Sequence, residues 1–486
     1  MLAALAIEPV TPLQTTLAIV FLVLGWIVSV VFVYRVLVRG GSPASTVLWM
    51  VVILATPWLG LLLYYLLPRR LQLRRLRRVR LRTAHLRATR RPGGGREPAP
   101  AARGSVHGLA AMLGGADGAG LDGGNEVQWL ASGDAFLAAA TEAIATARHE
   151  VHCVVYIFRP DAAGQRFLKL LTSAQQRGVA VRLLFDAVGS FGLGAAHLAE
   201  LRAAGGRAEA FLPLLWKRRP LTMNLRNHRK LLVVDGETGF VGGRNIGDEY
   251  LTDRVGRERP WLDAMVRIRG PAVGRLQDVF IEDWCTATDE VLTAARPLPA
   301  PPGRELVGVV CSGPDREESD LWFAVIQAIG DADATVELSS PYLVPPPVLL
   351  FALQMAAARG VRVRIHTNGP KAEAWVLYHA QRSYYKKLLA AGVELYETLL
   401  DYNHSKLLVV DGRTVVVGSA NMDLRSAHLN FEIAAVALDA PHLAAEVQAT
   451  LDQRELRFLR VTKTHLPRQP FARAIDGVCS LLSPLL

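Results

Sequence analysis

Asn227-His228-Arg229-Lys230-Leu231-Leu232-Val233-Val234-Asp235-Gly236 is matched 176 positions later by Asn403-His404-Ser405-Lys406-Leu407-Leu408-Val409-Val410-Asp411-Gly412. Both copies read H-x-K-x-x-x-x-D. Both continue to a glycine-containing segment that ends in Asn, Gly242-Gly243-Arg244-Asn245 and Gly418-Ser419-Ala420-Asn421. The apolar run in each copy predicts a strand, in which residues i and i+2 share a face. His228 therefore projects with Lys230, and His404 with Lys406. Asp-Gly then predicts a turn into a returning strand, Gly239–Val241 or Thr414–Val417. A nitrogen base held beside a fixed cation suits an anionic electrophile, and a phosphate diester fits that description. Asn245 and Asn421, just past the glycines, are placed to hydrogen-bond phosphate oxygens. Taken singly, an Asp before Gly is commonly a turn-former, and a strand His is commonly a satisfied core residue. The repetition of the whole set argues for chemistry.

The duplication extends beyond this stretch. Gln176-Arg177-Gly178-Val179-Ala180-Val181-Arg182 and Ala358-Arg359-Gly360-Val361-Arg362-Val363-Arg364 hold matching places. In each half a helical pattern (Phe136 to Ala147, Leu321 to Ile329) leads into a strand (Val151 to Phe158, Val336 to Leu338), and a second helix and strand follow. Alternating helix and strand predicts an α/β fold with largely parallel sheets. The halves are expected at residues 125–294 and 304–486, joined by the Pro-rich Ala295 to Gly303.

Before them the chain has a different character. Thr11 to Tyr34 and Ala44 to Leu67 are uncharged apolar runs of 24 residues each, separated by Arg35, Arg39 and a Gly-Gly-Ser-Pro turn. Each exceeds the roughly 20 residues that cross a hydrocarbon core. A cleaved signal peptide fits less well, because the first run lacks a basic leader, follows Glu8 and is succeeded by another run. The expectation is a transmembrane hairpin over 11–67. Residues 68–91 follow with 11 Arg and no acid. Such a cluster keeps its end of a span cytoplasmic and attracts anionic headgroups. It serves either as a topology signal alone or as a lipid-binding helix. Residues 92–124, rich in Gly, Pro and Ala, predict a flexible linker.

The net charge of +11 is accounted for by that Arg cluster, which leaves the remainder balanced. A nucleic-acid partner calls for a basic groove, so this class is disfavoured. Four cysteines, Cys153, Cys285, Cys311 and Cys479, lack metal-ligand spacing and read as small buried hydrophobes in a reducing compartment.

These residues carry a resemblance to the phospholipase D superfamily, whose members build one active site from two such units. Within it the chain is similar to the bacterial cardiolipin synthases with two transmembrane helices. That likeness rests also on Gly242-Gly243-Arg244-Asn245-Ile246-Gly247-Asp248-Glu249-Tyr250, Ser340-Pro341-Tyr342, Arg382-Ser383-Tyr384-Tyr385 and Ser483-Pro484-Leu485-Leu486. Gly243 departs from the Ser usual in the superfamily, which Ser419 retains.

The resemblance implies two tandem α-β-α halves packed as a pseudo-twofold pair behind a membrane hairpin. It implies that one motif His attacks phosphorus to give a phosphohistidine, while the other protonates the leaving glycerol oxygen and later activates the incoming alcohol. His228, Lys230, Asp235, His404, Lys406 and Asp411 form the expected catalytic set. Asn245, Asn421 and Ser419 are expected on the phosphate, and Asp263 and Glu432 as acids that orient the imidazoles. No cofactor or metal is called for, because one phosphodiester replaces another. The implied reaction transfers a phosphatidyl group between two phosphatidylglycerol molecules, giving cardiolipin and glycerol, at a bacterial inner membrane with the catalytic part cytoplasmic. Water, phosphatidylethanolamine or a small alcohol are alternative acceptors, and a nuclease is the most distant enzyme reading. A near-symmetric duplication does not distinguish the attacking His from the proton donor, and it leaves the oligomeric state open.

Overall fold

The computed structural model describes residues 12–38, 43–66, 107–115, 120–213, 225–251, 261–288, 290–292, 301–316, 319–371, 374–466 and 470–481. The Arg-rich segment, most of the expected linker, the start of the Pro-rich joint and the terminal Ser483–Leu486 lie outside them.

The chain divides into an N-terminal unit and a catalytic unit. In the N-terminal unit, Pro12–Val38 is a single apolar helix of 27 residues, long enough to span a bilayer. The second apolar run behaves differently from the expectation of one further span. It forms two shorter helices, Pro43–Ala55 and Pro57–Leu66. Pro57 has no N–H to donate and its ring crowds the preceding turn, so the helix breaks at Thr56. Among the described residues one helix, rather than two, is long and apolar enough to cross a membrane. The three helices share a cluster of Phe32, Val36, Ile53 and Leu61, and Ser29 Oγ donates to the Ile53 carbonyl at 3.2 Å.

In the catalytic unit the first half contributes β1 (Leu121–Leu130), β2 (Glu150–Val155), β3 (Ala180–Asp186), β4 (Arg207–Phe211), β5 (Arg226–Asn227), β6 (Leu231–Val234), β7 (Thr238–Gly242) and β8 (Met265–Arg269). The second contributes β9 (Glu305–Ser312), β10 (Thr335–Ser339), β11 (Leu343–Val344), β12 (Arg362–Thr367), β13 (Glu394–Thr398), β14 (Leu407–Val410), β15 (Thr414–Gly418), β16 (Met422–Asp423), β17 (Asn430–Leu438) and β18 (Phe458–Val461). The main sheet runs β18-β13-β12-β10-β14-β15-β17-β9-β1-β8-β7-β6-β2-β3-β4. Read from either end toward the β9–β1 seam, the same order of strands recurs, with β18 as an added edge. Each half has its own apolar core.

Two expectations are corrected here. The sheet is mixed rather than largely parallel. Along the main run β2-β3-β4 and β10-β12-β13 are parallel, and the short β5 joins β17 in parallel beside it, while the repeated stretch is itself a hairpin and adds β6-β7 and β14-β15 antiparallel. The expected linker also contains structure. A helix at His107–Gly115 buries Leu109, Ala110 and Leu113 in the core of the second half, and β1 begins at Leu121. Three apolar residues on one helical face were hidden by the surrounding Gly and Ala.

Candidate active site

Asp235 and Gly236, and likewise Asp411 and Gly412, all take positive φ, between 52° and 69°. This makes the tight turn from β6 to β7 and from β14 to β15. The Asp235 carboxylate accepts the N–H groups of Arg148, His149 and Glu150 at 2.8, 2.8 and 2.9 Å. Asp411 accepts those of Asp333, Ala334 and Thr335 at 2.9, 2.8 and 2.8 Å. Both acids therefore tie the hairpin turn to the start of the neighbouring antiparallel strand, β2 or β10. A four-residue strand, roughly 13 Å long, separates each from its Lys. The structure does not bring Asp235 or Asp411, expected in the catalytic set, to the histidines; it holds both carboxylates on backbone N–H groups.

The other end of each hairpin holds the site. Val154 pairs with Leu231, and Ser339 with Leu407. His228-Lys230 and His404-Lys406 thus sit at the carboxyl ends of β2 and β10. All four side chains are buried, with at most 8% of any residue exposed. The two segments reach across to each other's half: His228 N–H donates to the Phe431 carbonyl at 3.0 Å, and His404 N–H to the Leu262 carbonyl at 2.6 Å. β5 pairs with the start of β17 in the same exchange.

That crossing decides which acid serves which imidazole. Glu432 lies 2.9 Å from His228 Nδ1, and Asp263 lies 2.7 Å from His404 Nδ1. Each His is paired with an acid from the opposite half. Asp263 Oδ1 also accepts the Ala264 N–H at 2.7 Å. Glu432 accepts the Ser419 hydroxyl at 2.5 Å and the Asn430 amide at 3.2 Å. Ser419, expected on the phosphate, is therefore committed to the carboxylate. At the matching place a Cβ on Gly243 would stand 2.1 Å from Asp263 Oδ1 and 3.2 Å from Lys406 Cδ. The departure from Ser at 243 follows from the space Asp263 occupies.

Burial drives the electrostatics. It brings the His228 imidazole down to about 4 against the opposing pull of Glu432. Burial and the Lys406 charge bring His404 to about 3. Burial would raise both acids, but the adjacent imidazoles and lysines prevail, leaving Glu432 below its usual range and Asp263 at about 2. The resting pairs are therefore neutral imidazoles beside carboxylates. An anionic acceptor at Nδ1 holds the proton there and leaves the Nε2 lone pair free. Burial lowers Lys406 to about 8 and Lys230 further below its ordinary value. Each ammonium folds back to the carbonyl of its own His, at 2.6 and 2.5 Å.

Asn245 is fully buried. Its Oδ1 accepts the Ile157 N–H at 3.1 Å, and its side-chain amide lies against the Tyr250 hydroxyl, short of a well-aligned hydrogen bond. Asn421 is also buried, with Oδ1 left unpaired. Unsatisfied buried amides are costly.

Sequence reasoning missed the framing residues. Asn227 donates to Asp283 at 2.9 Å and accepts the Arg229 N–H at 3.1 Å. Asn403 plays the matching part, accepting the Ser405 N–H at 3.2 Å. Their presence directly before each His was the available signal. The surroundings also break the symmetry. Tyr250, Trp261 and Tyr402 ring His404, whereas Tyr156 stands at His228.

The two halves thus contribute two buried imidazoles held at Nδ1 by carboxylates, the two motif lysines and the Asn245 and Asn421 amides. Comparison with known proteins agrees. A family model described as "Cardiolipin synthase, PLD-like domain" matches residues 140–284 and 325–454, one match per half. The chain is 36% identical to the cardiolipin synthase of Geobacillus thermodenitrificans, over 94% of this chain and 92% of that one. It is 37% identical to cardiolipin synthase A of Pseudomonas aeruginosa, over 68% and 66%. The crystal structure of Haemophilus influenzae phosphatidylserine synthase has the same fold, with a TM-score of 0.57 at 17% identity, covering 74% of this chain and 95% of that one. With both halves matched and the Geobacillus thermodenitrificans relative aligned over 94% of this chain and 92% of its own length, this chain belongs to the cardiolipin synthase family of phospholipase D-like proteins.

Proposed function

We propose that the chain is a cardiolipin synthase that moves a phosphatidyl group from one phosphatidylglycerol to another through a phosphohistidine. The observation that carries this reading is the crossed pair of neutral imidazoles, each tied at Nδ1 to a buried carboxylate. Nε2 of one His, neutral, attacks the phosphorus while the other, which enters this step carrying a second proton taken up at Nε2 from solvent, gives that proton to the departing glycerol oxygen, so one P–O bond breaks as one P–N bond forms. The second phosphatidylglycerol then presents a glycerol hydroxyl. The His that lost its proton takes the hydroxyl proton, the oxygen attacks phosphorus, and the P–N bond breaks to regenerate the imidazole. Lys230, Lys406 and the Asn245 amide offset charge on the equatorial oxygens. One diester replaces another, so no external energy source is required.

The same reading places the catalytic unit on the cytoplasmic side of a bacterial inner membrane as a multi-pass protein. Its support is the apolar N-terminal helix Pro12–Val38, charged only at Arg35 in its last turn, the two apolar helices Pro43–Ala55 and Pro57–Leu66 that follow it, and the Arg cluster at 69–91. The test is purified protein reconstituted with radiolabelled phosphatidylglycerol as the sole lipid. Cardiolipin and glycerol are expected in equal amounts; phosphatidic acid without cardiolipin overturns the transfer. A tag at Leu486 is expected to be reached only from the cytoplasmic face, and periplasmic labelling in intact cells overturns the topology.

A further inference from the structure

One corner of the catalytic unit has a surface at odds with a water-facing role. Leu399 and Leu400 leave the carboxyl end of β13 with 49% and 54% of their surface exposed. β18 runs antiparallel to β13, with Thr398 opposite Phe458, so Leu456, 87% exposed, stands at the same end. The Leu399 N–H donates to the Arg457 carbonyl at 3.1 Å, which locks the two turns together. The loop after β12 joins them through Gly369 N–H to Thr398 Oγ1 at 3.0 Å, and it ends at Trp375, 59% exposed. Scattered surface leucines are ordinary, but three exposed leucines on two interlocked turns, with exposed Trp375 beyond the adjoining loop, make an apolar corner that calls for a partner.

Two further features identify the partner. The patch is flanked by cations: Arg457 is half exposed even while it contacts the buried Asp401 at 3.5 Å, and Lys371 is exposed. Apolar tips beside basic residues are the pattern of elements that lie in an anionic lipid interface. The patch is also continuous with the active site. Asn368, at the start of the Trp375 loop, accepts the Asn403 N–H at 2.7 Å and donates to the Asn403 carbonyl at 3.0 Å. Leu400 precedes His404 by four residues. The His404 end of the site and the apolar corner thus belong to one bonded edge.

We propose that this corner (Trp375, Leu399, Leu400 and Leu456, with Lys371 and Arg457) seats in the headgroup layer of an anionic bilayer and delivers lipid headgroups to the His404 side of the site. The delivery rests on the lipid-transfer reading above; the docking is measured without it. Four native cysteines are buried, so Leu400→Cys on the full chain can carry a bimane label. Gln176→Cys, exposed at the opposite end of β3, is the control. Both proteins are placed in phosphatidylglycerol vesicles with acyl chains brominated near the headgroups or left plain. Quenching is expected at position 400 and absent at position 176. Equal emission at position 400 in both lipids overturns the docking. So does disulfide crosslinking of two unlabelled Leu400→Cys chains through the introduced thiol, which identifies an interface between copies instead. A second arm replaces Leu399 and Leu400 together by Glu. Each leucine withdrawn from the interface is worth roughly a tenfold change in partitioning, so turnover on vesicles is expected to fall by at least that much. Turnover on monomeric short-chain phosphatidylglycerol should stay at the parent level, and equal loss on both substrates overturns the proposal. Quenching with phosphatidic acid as the only product refutes the reaction and keeps the docking; cardiolipin formation with an unquenched label does the reverse.

Discussion

Asp263→Asn changes a single oxygen into an amino group, and the structure dictates where that group goes. Asp263 Oδ1 is held by the Ala264 N–H at 2.7 Å and Oδ2 faces His404 Nδ1 at 2.7 Å. In the amide, the oxygen must stay on Ala264, because two donors cannot share that contact. The NH2 group is then aimed at His404 Nδ1, which has to become an acceptor. The ring proton moves to Nε2 and the lone pair needed at phosphorus, or for the glycerol proton, is lost. A hydrogen bond to a charged group contributes about 1.5–3 kcal/mol, and losing it alone lowers turnover by about tenfold to 150-fold. Inverting the tautomer adds to this, as seen where a carboxamide replaces an orienting carboxylate and rates fall by roughly 10^4. The expected loss in kcat is therefore about 10^2 to 10^4. Two assays check it: cardiolipin formed per enzyme, and the 15N NMR signature of the His404 ring, expected to switch from Nδ1–H to Nε2–H. Turnover within threefold of the parent in a folded variant, or an unchanged tautomer, refutes the reasoning.

Asp411→Ala tests the opposite assignment. It removes the acceptor for three backbone N–H groups, and a stability loss of about 2–4 kcal/mol is expected in denaturant melts. Turnover per folded molecule should stay within a few-fold, and a loss comparable to that of Asp263→Asn would return Asp411 to the catalytic set. Gly243→Ser should drive Asp263 from His404, given the 2.1 Å approach of its Cβ, and cost about 10^2 in turnover or more. Ser419→Ala, which strips only one donor from Glu432, should cost roughly tenfold; the reverse order of severity in the lipid assay refutes the account of the asymmetry. The pH profile of kcat/KM reports the free enzyme. With the imidazoles down to about 4 and about 3, the limb set by protonation of the attacking His is expected well below 6.5. Stability runs with the same sign. The unfolded histidines take up protons below about 6.5 that the folded ones refuse, so stability declines as pH falls from there toward the folded values. An acid limb centred at 6.5 contradicts the buried, neutral pairs.

The sequence made the local geometry legible. The i, i+2 placement of His and Lys on a strand, and the Asp-Gly turn, depend only on neighbours and appear in the structure where expected. The crossed acids were found as candidates, but their partners lie 141 and 204 residues away, and spacing along the chain suggested no exchange. Membership of the repeated motif does not fix where Asp235 and Asp411 lie, because a four-residue strand separates them from the histidines. Their carboxylates answer to backbone amides that only the third dimension brings near. The break at Pro57 was visible in the sequence, yet uninterrupted apolarity outweighed it. The sheet direction was misread because helix–strand alternation speaks for β2-β3-β4 and β10-β12-β13, while the hairpins speak for the rest.

The exchange of acids between halves also bears on ancestry and engineering. A single half carries a His and a Lys but lacks the carboxylate its own ring requires, so it has nothing to gain from folding alone. Two identical halves related by a twofold axis would complete each other's rings simultaneously, as a self-complementary dimer does. A gene fusion of such a pair keeps the chemistry at once and then frees each copy to drift. Gly243 facing Ser419, and three aromatic rings at one His against a single one at the other, are the drift that a symmetric dimer could never have accumulated. Splitting the chain at the 295–303 joint and recombining two half-polypeptides would, on this view, restore a working site only from unlike halves.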